Sequence, residues 1–421
     1  MKTSISAIQW MAFMIAGAIA APIAIADLFH MNPVDTAGFV QRTILVLGIA
    51  SLLQGLCGHR LPLHEGPAGL WWGVFAIYAG FVGTLYTSET ETLRSLTGGM
   101  LVSGVFLFIL SLFGFIEKLA KLFTPTITFI YLMLLILQLS GSFLRGMFGI
   151  SEDNPSIQPL IAILSIIVVI ITFMLGKSRI IWIKQFSIMF SLILGWILFA
   201  VFGKAPAIPQ SNSYLELPKI FAFGPPLIDA GMLITSLFLT LLLITNMIAS
   251  IRVVEAVVAE GKQYQSRYRR AGFISAFNQI SGGVFTSIGS VPISGAAGFI
   301  KQTGVKSIRP FILGAVLVIV ISLMPPLVHF MSALPAPVGY AVTFVIFSKM
   351  VGMALTQLEQ AENQDHAYMT SGIGLLVGVG VMFLSPEATS TLPVALSSLM
   401  NNGLVLGTII AIIVEQYLKW K

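Results

Sequence analysis

Charge is what this sequence has least of. Of its 421 residues only 10% are Asp, Glu, Lys or Arg, 56% are hydrophobic, and the mean hydropathy is +0.93. A soluble domain carries about 25% charged residues, so the composition points to a polytopic membrane protein. No polar stretch reaches fifty residues, which leaves no water-soluble domain of useful size. A single cysteine, Cys57, excludes an intrachain disulfide and a cysteine metal cluster. His59, His64, His329 and His366 lack metal-ligand spacing. No Ser–His, Asp–Asp or His–metal constellation lies inside the apolar segments, and no phosphate-binding loop is present. An enzyme, a resident cofactor and ATP hydrolysis by this chain are thereby set aside. The net charge of +6 comes from residues scattered through short loops, which fits membrane topology and not a nucleic-acid partner.

Apolar windows of about twenty residues mark spanning helices. They fall near 7–27, 40–57, 64–86, 97–115, 124–144, 157–175, 180–202, 227–250, 271–287, 289–300, 308–330, 337–356, 367–384 and 396–418, fourteen in all. Asn32-Pro33, Gly58-His59-Arg60, Asp153-Asn154-Pro155, Gly203 and Pro386 separate many of them. The first resembles a secretory signal, with Lys2 ahead and Ala24-Ile25-Ala26 before Asp27. Its apolar run is longer than the 7–15 residues of a signal core, and we read it as a retained helix. With the N-terminus cytoplasmic, the cytoplasmic segments hold eighteen of the twenty-three basic residues, including Lys121, Lys262 and the Arg267-Arg269-Arg270 cluster. That asymmetry obeys the positive-inside rule. It predicts a multi-pass protein of the cytoplasmic membrane, surrounded by lipid, with both termini cytoplasmic.

Two of the predicted spans are broken. The third begins Leu61-Pro62-Leu63-His64-Glu65-Gly66-Pro67-Ala68-Gly69-Leu70-Trp71-Trp72, and the tenth follows Ser281-Gly282-Gly283 through Gly289, Pro292, Gly295 and Gly298. Irregular backbone at membrane depth is tolerated only where protein or a water-filled cavity satisfies it. The two breaks lie seven crossings apart. Seven is odd, so the halves form an inverted repeat, the arrangement that marks substrate sites in secondary transporters. Each break predicts a short strand leading into a half-helix, the two half-helix N-termini converging at the midplane. Free N–H groups and positive dipole ends there suit a small polar or anionic molecule. The alternative is close helix packing through small residues. Glu65 is the acidic residue nearest this site, read either as a proton-coupling carboxylate or as an interfacial residue paired with Arg60 or His64. Trp71-Trp72 reads equally as an aromatic belt or as a stacking platform.

These segments resemble the nucleobase–ascorbate transporter family, the nucleobase–cation symporters for xanthine, uric acid, uracil and other bases. The family's tenth-span signature is Gln/Glu/Pro, Asn, any residue, Gly, four of any kind, Thr, then Arg/Lys/Gly. Here the register runs from Pro292 to Lys301: Pro292, Gly295 and Lys301 match, while Ile293 replaces the Asn and Ile300 the Thr. Gln9-Trp10 stands where the family has Gln-His. Leu61-Pro62 with Glu65-Gly66-Pro67, Ser307-Ile308-Arg309 and Leu334-Pro335-Ala336-Pro337-Val338-Gly339 are similar to further family elements. The resemblance implies an all-α fold of fourteen spans as a 7+7 inverted repeat. It also implies a core domain (residues 1–115 and 227–330), a gate domain (116–204 and 337–421) and a homodimer.

It departs from the family at the carboxylates. Asn246 stands where the eighth-span Glu would be, and Pro292 where the signature often has a second acid. Asn offers one acceptor and two donors but carries no proton. The implied substrate-binding residues are Gln9, Gly17, Ala68, Gly69, Leu70, Asn246, Ser250, Val291, Pro292, Ile293 and Ser294, with Glu65 left for proton coupling. Asn246 also reads as a helix–helix hydrogen-bonding residue, and Ser294 as a backbone cap. The function expected is import of a nucleobase, a purine such as xanthine, uric acid, guanine or hypoxanthine, or uracil, with H+ or Na+ co-transported. An uncoupled facilitator or an anion transporter of the same architecture is the alternative. Anion selection would want a basic residue at the midplane, and spans 3, 8 and 10 supply none.

Overall fold

The computed structural model describes residues 2–116, 118, 124–151, 154–211, 213–258, 267–384, 386–389, 392, 400 and 402–420. Lys121, Asp153, Lys262, Lys421 and the first residues of the last predicted span lie outside these described residues.

Proline decides where the first helix bends. α1 (Lys2–Ala18) gives way to α2 (Ala20–Leu28), because Pro22 has no N–H to offer the Ala18 carbonyl one turn back. Trp10 of α1 is fully buried, its ring 4.4 Å from that of Phe299 and 5.2 Å from that of Phe311. α3 (Pro33–Leu56) starts on Asn32, whose side-chain oxygen accepts from the amides of Val34 and Asp35, with Pro33 in the first turn where its missing donor costs nothing. After β1 (Glu65–Pro67) and the short α4 (Gly69–Ala79), α5 (Glu89–Leu112) opens with Ser88 capping the Glu91 amide while Glu91 reaches back to Thr87. α6 (Pro125–Met147), capped by Thr124, is followed by α7 (Pro159–Gly176) and by a seventh segment split into α8 (Ile181–Gln185) and α9 (Ser187–Val201).

The second half repeats this plan. α10 (Ala230–Val258) and α11 (Tyr268–Val284) precede β2 (Ser290–Pro292) and the half-helix α12 (Gly295–Thr303). α13 (Ile308–Ser322) and α14 (Pro325–Ser332) meet at 88°, with Pro325 beginning the second piece. α15 (Ala336–Glu359), α16 (Gln364–Met382) and α17 (Gly403–Trp420) complete the chain. Among the described residues, seven helices are each long and apolar enough to cross a membrane, or eight with the bent α13–α14 pair taken as one. The third and tenth predicted spans are strand plus half-helix, as their glycines and prolines imply.

Packing gathers α1, α3, α5, α10, α11 and α13 on one side, and α6, α7, α9, α15, α16 and α17 on the other. Small residues set the closest approaches. At Gly104 a side chain would sit 2.9 Å from the Ala276 carbonyl of α11, and at Gly378 it would sit 2.8 Å from the Gly403 carbonyl of α17. Without hydrophobic drive between helices in lipid, such backbone proximity supplies the packing energy. Tyr340 of α15 ties the two groups together. Its buried hydroxyl lies 2.9 Å from the Ala24 carbonyl and 3.1 Å from a carboxylate oxygen of Asp27, both on α2. Removing it leaves buried acceptors unpaired at about 1–3 kcal/mol. Tyr340→Phe is therefore expected to lower the melting temperature of detergent-purified protein; an unchanged melting curve would remove this tie from the account.

Candidate functional site

β1 and β2 form a two-stranded antiparallel ribbon with Glu65 opposite Pro292, Gly66 opposite Val291 and Pro67 opposite Ser290. Hydrogen bonds from Ile293 N–H to the His64 carbonyl (3.0 Å) and from Ala68 N–H to the Gly289 carbonyl (2.9 Å) extend it at both ends. A ribbon this short leaves two open edges, and at membrane depth their polar groups need partners. Polar side chains of three helices supply them. Ser51 of α3 accepts from the Glu65 N–H at 2.9 Å, Ser250 of α10 donates to the Pro292 carbonyl at 2.9 Å, and Gln279 of α11 donates to the Ser290 carbonyl at 2.7 Å. Gln279 also accepts from the Trp71 indole at 2.8 Å, which fixes α4 against β2.

Each strand runs into a helix N-terminus. In α4 the first helical bond runs from Trp72 N–H to the Ala68 carbonyl, so the amides of Gly69, Leu70 and Trp71 have no acceptor within the helix. In α12 the first turn closes with Ala296 to Ile293 and Ala297 to Ser294, leaving the Ser294 and Gly295 amides without an intrahelical partner. Asn246 completes the site from α10. It is half-buried, and its Oδ1 lies 3.1 Å from the Ser250 hydroxyl, whose one proton it shares with the Pro292 carbonyl. Among the described residues no hydrogen bond uses the Asn246 amide nitrogen. The arrangement offers one rigid acceptor line, two amide donors on Asn246 and two sets of helix-end N–H groups, which together suit a planar neutral heterocycle with mixed donors and acceptors.

Most of the sequence-derived candidates meet here. Asn246, Ser250 and Pro292 are joined by hydrogen bonds, and Ala68, Gly69 and Leu70 form the α4 N-terminus. Val291 is buried in the ribbon, and the Ile293 side chain lies 2.6 Å from where a Gly66 side chain would begin. Ser294 starts α12 without a side-chain cap bond. Gly17 is exposed, with nothing within 4 Å of a methyl placed on it, and Gly298 is equally open. Gln9 is half-buried on α1, and among the described residues no hydrogen bond joins it to this group. Trp71 and Trp72 are both buried, so neither is a belt residue; Trp72 packs edge-on against Phe143 and Phe347. Among the described residues no hydrogen bond or ion pair joins Glu65 to Arg60 or His64; the hydroxyl beside its carboxylate is that of Ser290 on β2. Ser51, Gln279 and Phe347 join the site from outside the sequence-derived set. The last lies 3.5 Å from a methyl placed on Gly69, and so covers the α4 N-terminus from α15. Of these three only Gln279, half of an Asn-Gln pair in a ninth span of small residues, stands out in the sequence.

The proteins to which this chain is similar include permeases and transporters. Residues 1–387 match the Permease family model Xan_ur_permease. The chain belongs to the xanthine/uracil permease family. This permease is 45% identical over 426 residues to "Putative purine permease YwdJ" of Bacillus subtilis (strain 168), covering 100% of its own length and 97% of that protein's. It is 23% identical to Uric acid permease PucJ of the same organism, over 97% and 91% of the two chains. Among solved structures, the transmembrane domain of the cyanobacterium bicarbonate transporter BicA superposes with a TM-score of 0.60 at 15% identity over 97% of each chain. SLC26A9 superposes with a TM-score of 0.68 at 11% identity, over 98% of this chain and 65% of that one. These two share the inverted-repeat transporter fold. The permease is an integral multi-pass membrane transport protein and not an enzyme.

Proposed function

We propose that this permease imports a nucleobase, a purine in preference to uracil, across the cytoplasmic membrane in symport with protons. The observation that carries the reading is the hydrogen-bonded line Asn246–Ser250–Pro292 beside the two half-helix N-termini. Asn246 presents both donor and acceptor to a base edge, and the helix-end amides supply further donors to its carbonyl oxygens. Family membership and the purine and uric acid permeases among its relatives support the substrate class. Transport would proceed by movement of the core (residues 1–115 and 227–330) against the gate (116–204 and 337–421), in a homodimer with cytoplasmic termini. Phe347 then closes over the α4 N-terminus in one position of that movement and clears it in the other.

The test is uptake of labelled xanthine, uric acid, guanine, hypoxanthine and uracil into cells lacking their own base permeases. The expected result is saturable accumulation of a purine that an uncoupler abolishes and sodium removal leaves intact. Accumulation of none of the five bases, or uptake of bicarbonate or sulfate in their place, defeats the proposal.

A further inference from the structure

Glu65 is 2% exposed and sits in the break of the third predicted span, on the face of the ribbon that also carries Ser290. Among the described residues, the Ser290 hydroxyl, diagonally across from it on β2, is the side chain that interacts with its carboxylate, though not with the geometry of a full hydrogen bond. The side chain lines a cavity of about 10 Å³, at the lower limit for a single water. No charged or titratable group of the described residues lines this cavity with it: α1 contributes Met14, Ile15 and Ala18, α3 contributes Ile44, Leu47 and Ser51, and α13 contributes Val318. His64, the residue before it, is also buried and packs edge-on against Phe13 of α1, ring centres 5.0 Å apart.

An ionised carboxylate with no cationic partner and a single hydroxyl beside it is heavily penalised in such surroundings. A metal cation needs several oxygen ligands, and among the described residues the side chains lining this cavity offer only Glu65 and the Ser51 hydroxyl, with the Ser290 hydroxyl beside the carboxylate. A proton is the one cation the space accepts.

We propose that the Glu65 carboxyl takes up and releases the coupling proton, in a pocket separated from the base by the width of the ribbon. This rests on the reading of the protein as a proton-driven base importer. The two sites are joined mechanically. Glu65 is the cross-strand partner of Pro292, whose carbonyl is held by Ser250, which in turn meets Asn246. On the other edge, the Glu65 N–H is held by Ser51. Loss of the proton leaves a bare carboxylate among Met14, Ile44, Leu47 and Val318, and so favours whichever ribbon position gives Glu65 to water. Two states of one ribbon, biased differently by proton and by base, are enough for coupling. The base site at Asn246 and Pro292 therefore needs no carboxylate of its own.

Two measurements on full-length protein test this. The first is infrared difference spectroscopy of purified wild type and Glu65→Gln in H2O and D2O at neutral pH. The carbonyl band of a protonated carboxylic acid is expected in the wild type and absent from the variant; identical spectra overturn the assignment. The second compares accumulation of labelled purine with its exchange across membranes preloaded with the same base. Glu65→Gln is expected to retain exchange within about twofold while uncoupler-sensitive accumulation is lost, and Glu65→Asp, which keeps the acid, is expected to recover part of it. Uphill accumulation by Glu65→Gln at the wild-type level overturns the proposal. Should Glu65→Gln fail to reach the membrane, Glu65→Asp carries both measurements, and an unshifted acid band in it counts against the site. A wild type that shows the acid band but transports no base overturns the nucleobase reading and leaves the proton site standing.

Discussion

Asn246→Ala is expected to reduce uptake of labelled purine by about 10- to 100-fold at unchanged abundance in the membrane. The Asn246 Oδ1 is engaged by Ser250, and among the described residues no hydrogen bond uses its amide nitrogen, so the nitrogen is the group available to a base. Truncation to Ala removes that donor and leaves an acceptor of the enclosed base unpaired, which costs about 1–3 kcal/mol, or one to two decades in affinity. It also frees the Ser250 hydroxyl to donate wholly to the Pro292 carbonyl, so the ribbon edge stays satisfied and the fold is expected to survive. Asn246→Asp separates recognition from shape: it keeps the geometry but replaces two donors with an acceptor, and uptake is expected to fall as far as in the Ala variant. A helix-bridging role predicts the reverse pattern, with lower abundance and melting temperature and undiminished uptake per folded molecule. Wild-type uptake by Asn246→Ala removes this residue from the substrate site.

Gly289→Val is expected to abolish both uptake and the folded site, whereas Gly298→Ala is expected to leave the melting temperature within about a degree of wild type. Gly289 lies just ahead of β2, where its carbonyl receives the Ala68 N–H. A first side-chain carbon there would overlap the Trp71 ring and stand 2.6 Å from the Gln279 Oε1. Trp71 is fully buried and hydrogen-bonded to that same oxygen, so neither group yields without breaking the knot that joins α4, α11 and β2. Overpacking of this kind costs about 1–3 kcal/mol even where neighbours can move, and here a buried hydrogen bond is lost as well. Gly298 is the matched control, because nothing lies within 4 Å of the added carbon and the residue faces open space. Size-exclusion profiles and melting curves of the two variants decide the matter; a well-folded, active Gly289→Val protein contradicts the packing described.

Much of the architecture is legible in the chain because lipid imposes a simple rule on sequence. A spanning helix needs an unbroken apolar run, so Gly66, Pro67, Gly289 and Pro292 stand out at membrane depth. The interruptions of the third and tenth segments therefore announce the strand pair and its two half-helices. The bends at Pro22 and Pro325 follow from the same missing N–H. Asn246 and Ser250 are placed by their four-residue spacing on one helical face together with the family register, and Ser250 bonds β2 directly while Asn246 reaches it through that serine.

The partners of the ribbon edges are another matter. Ser51 looks like an ordinary polar residue of its helix and Gln279 stands out only as half of an Asn-Gln pair; nothing local to them says that one will accept from Glu65 and the other donate to Ser290. Phe347 is one of 30 phenylalanines, and only the approach of α15 to Gly69 distinguishes it.

Glu65 shows the division most clearly. The sequence by itself determined that a carboxylate lies at a break in a membrane span, next to a strand that must be held by protein. Tertiary structure alone decided which way it points. Strand residues alternate between faces, so one step of register separates a side chain on the other face of the ribbon from one buried among Met14, Ile15, Ile44, Leu47 and Val318. That register is set by the pairing of Glu65 with Pro292, a contact between residues far apart in the chain that no local pattern encodes.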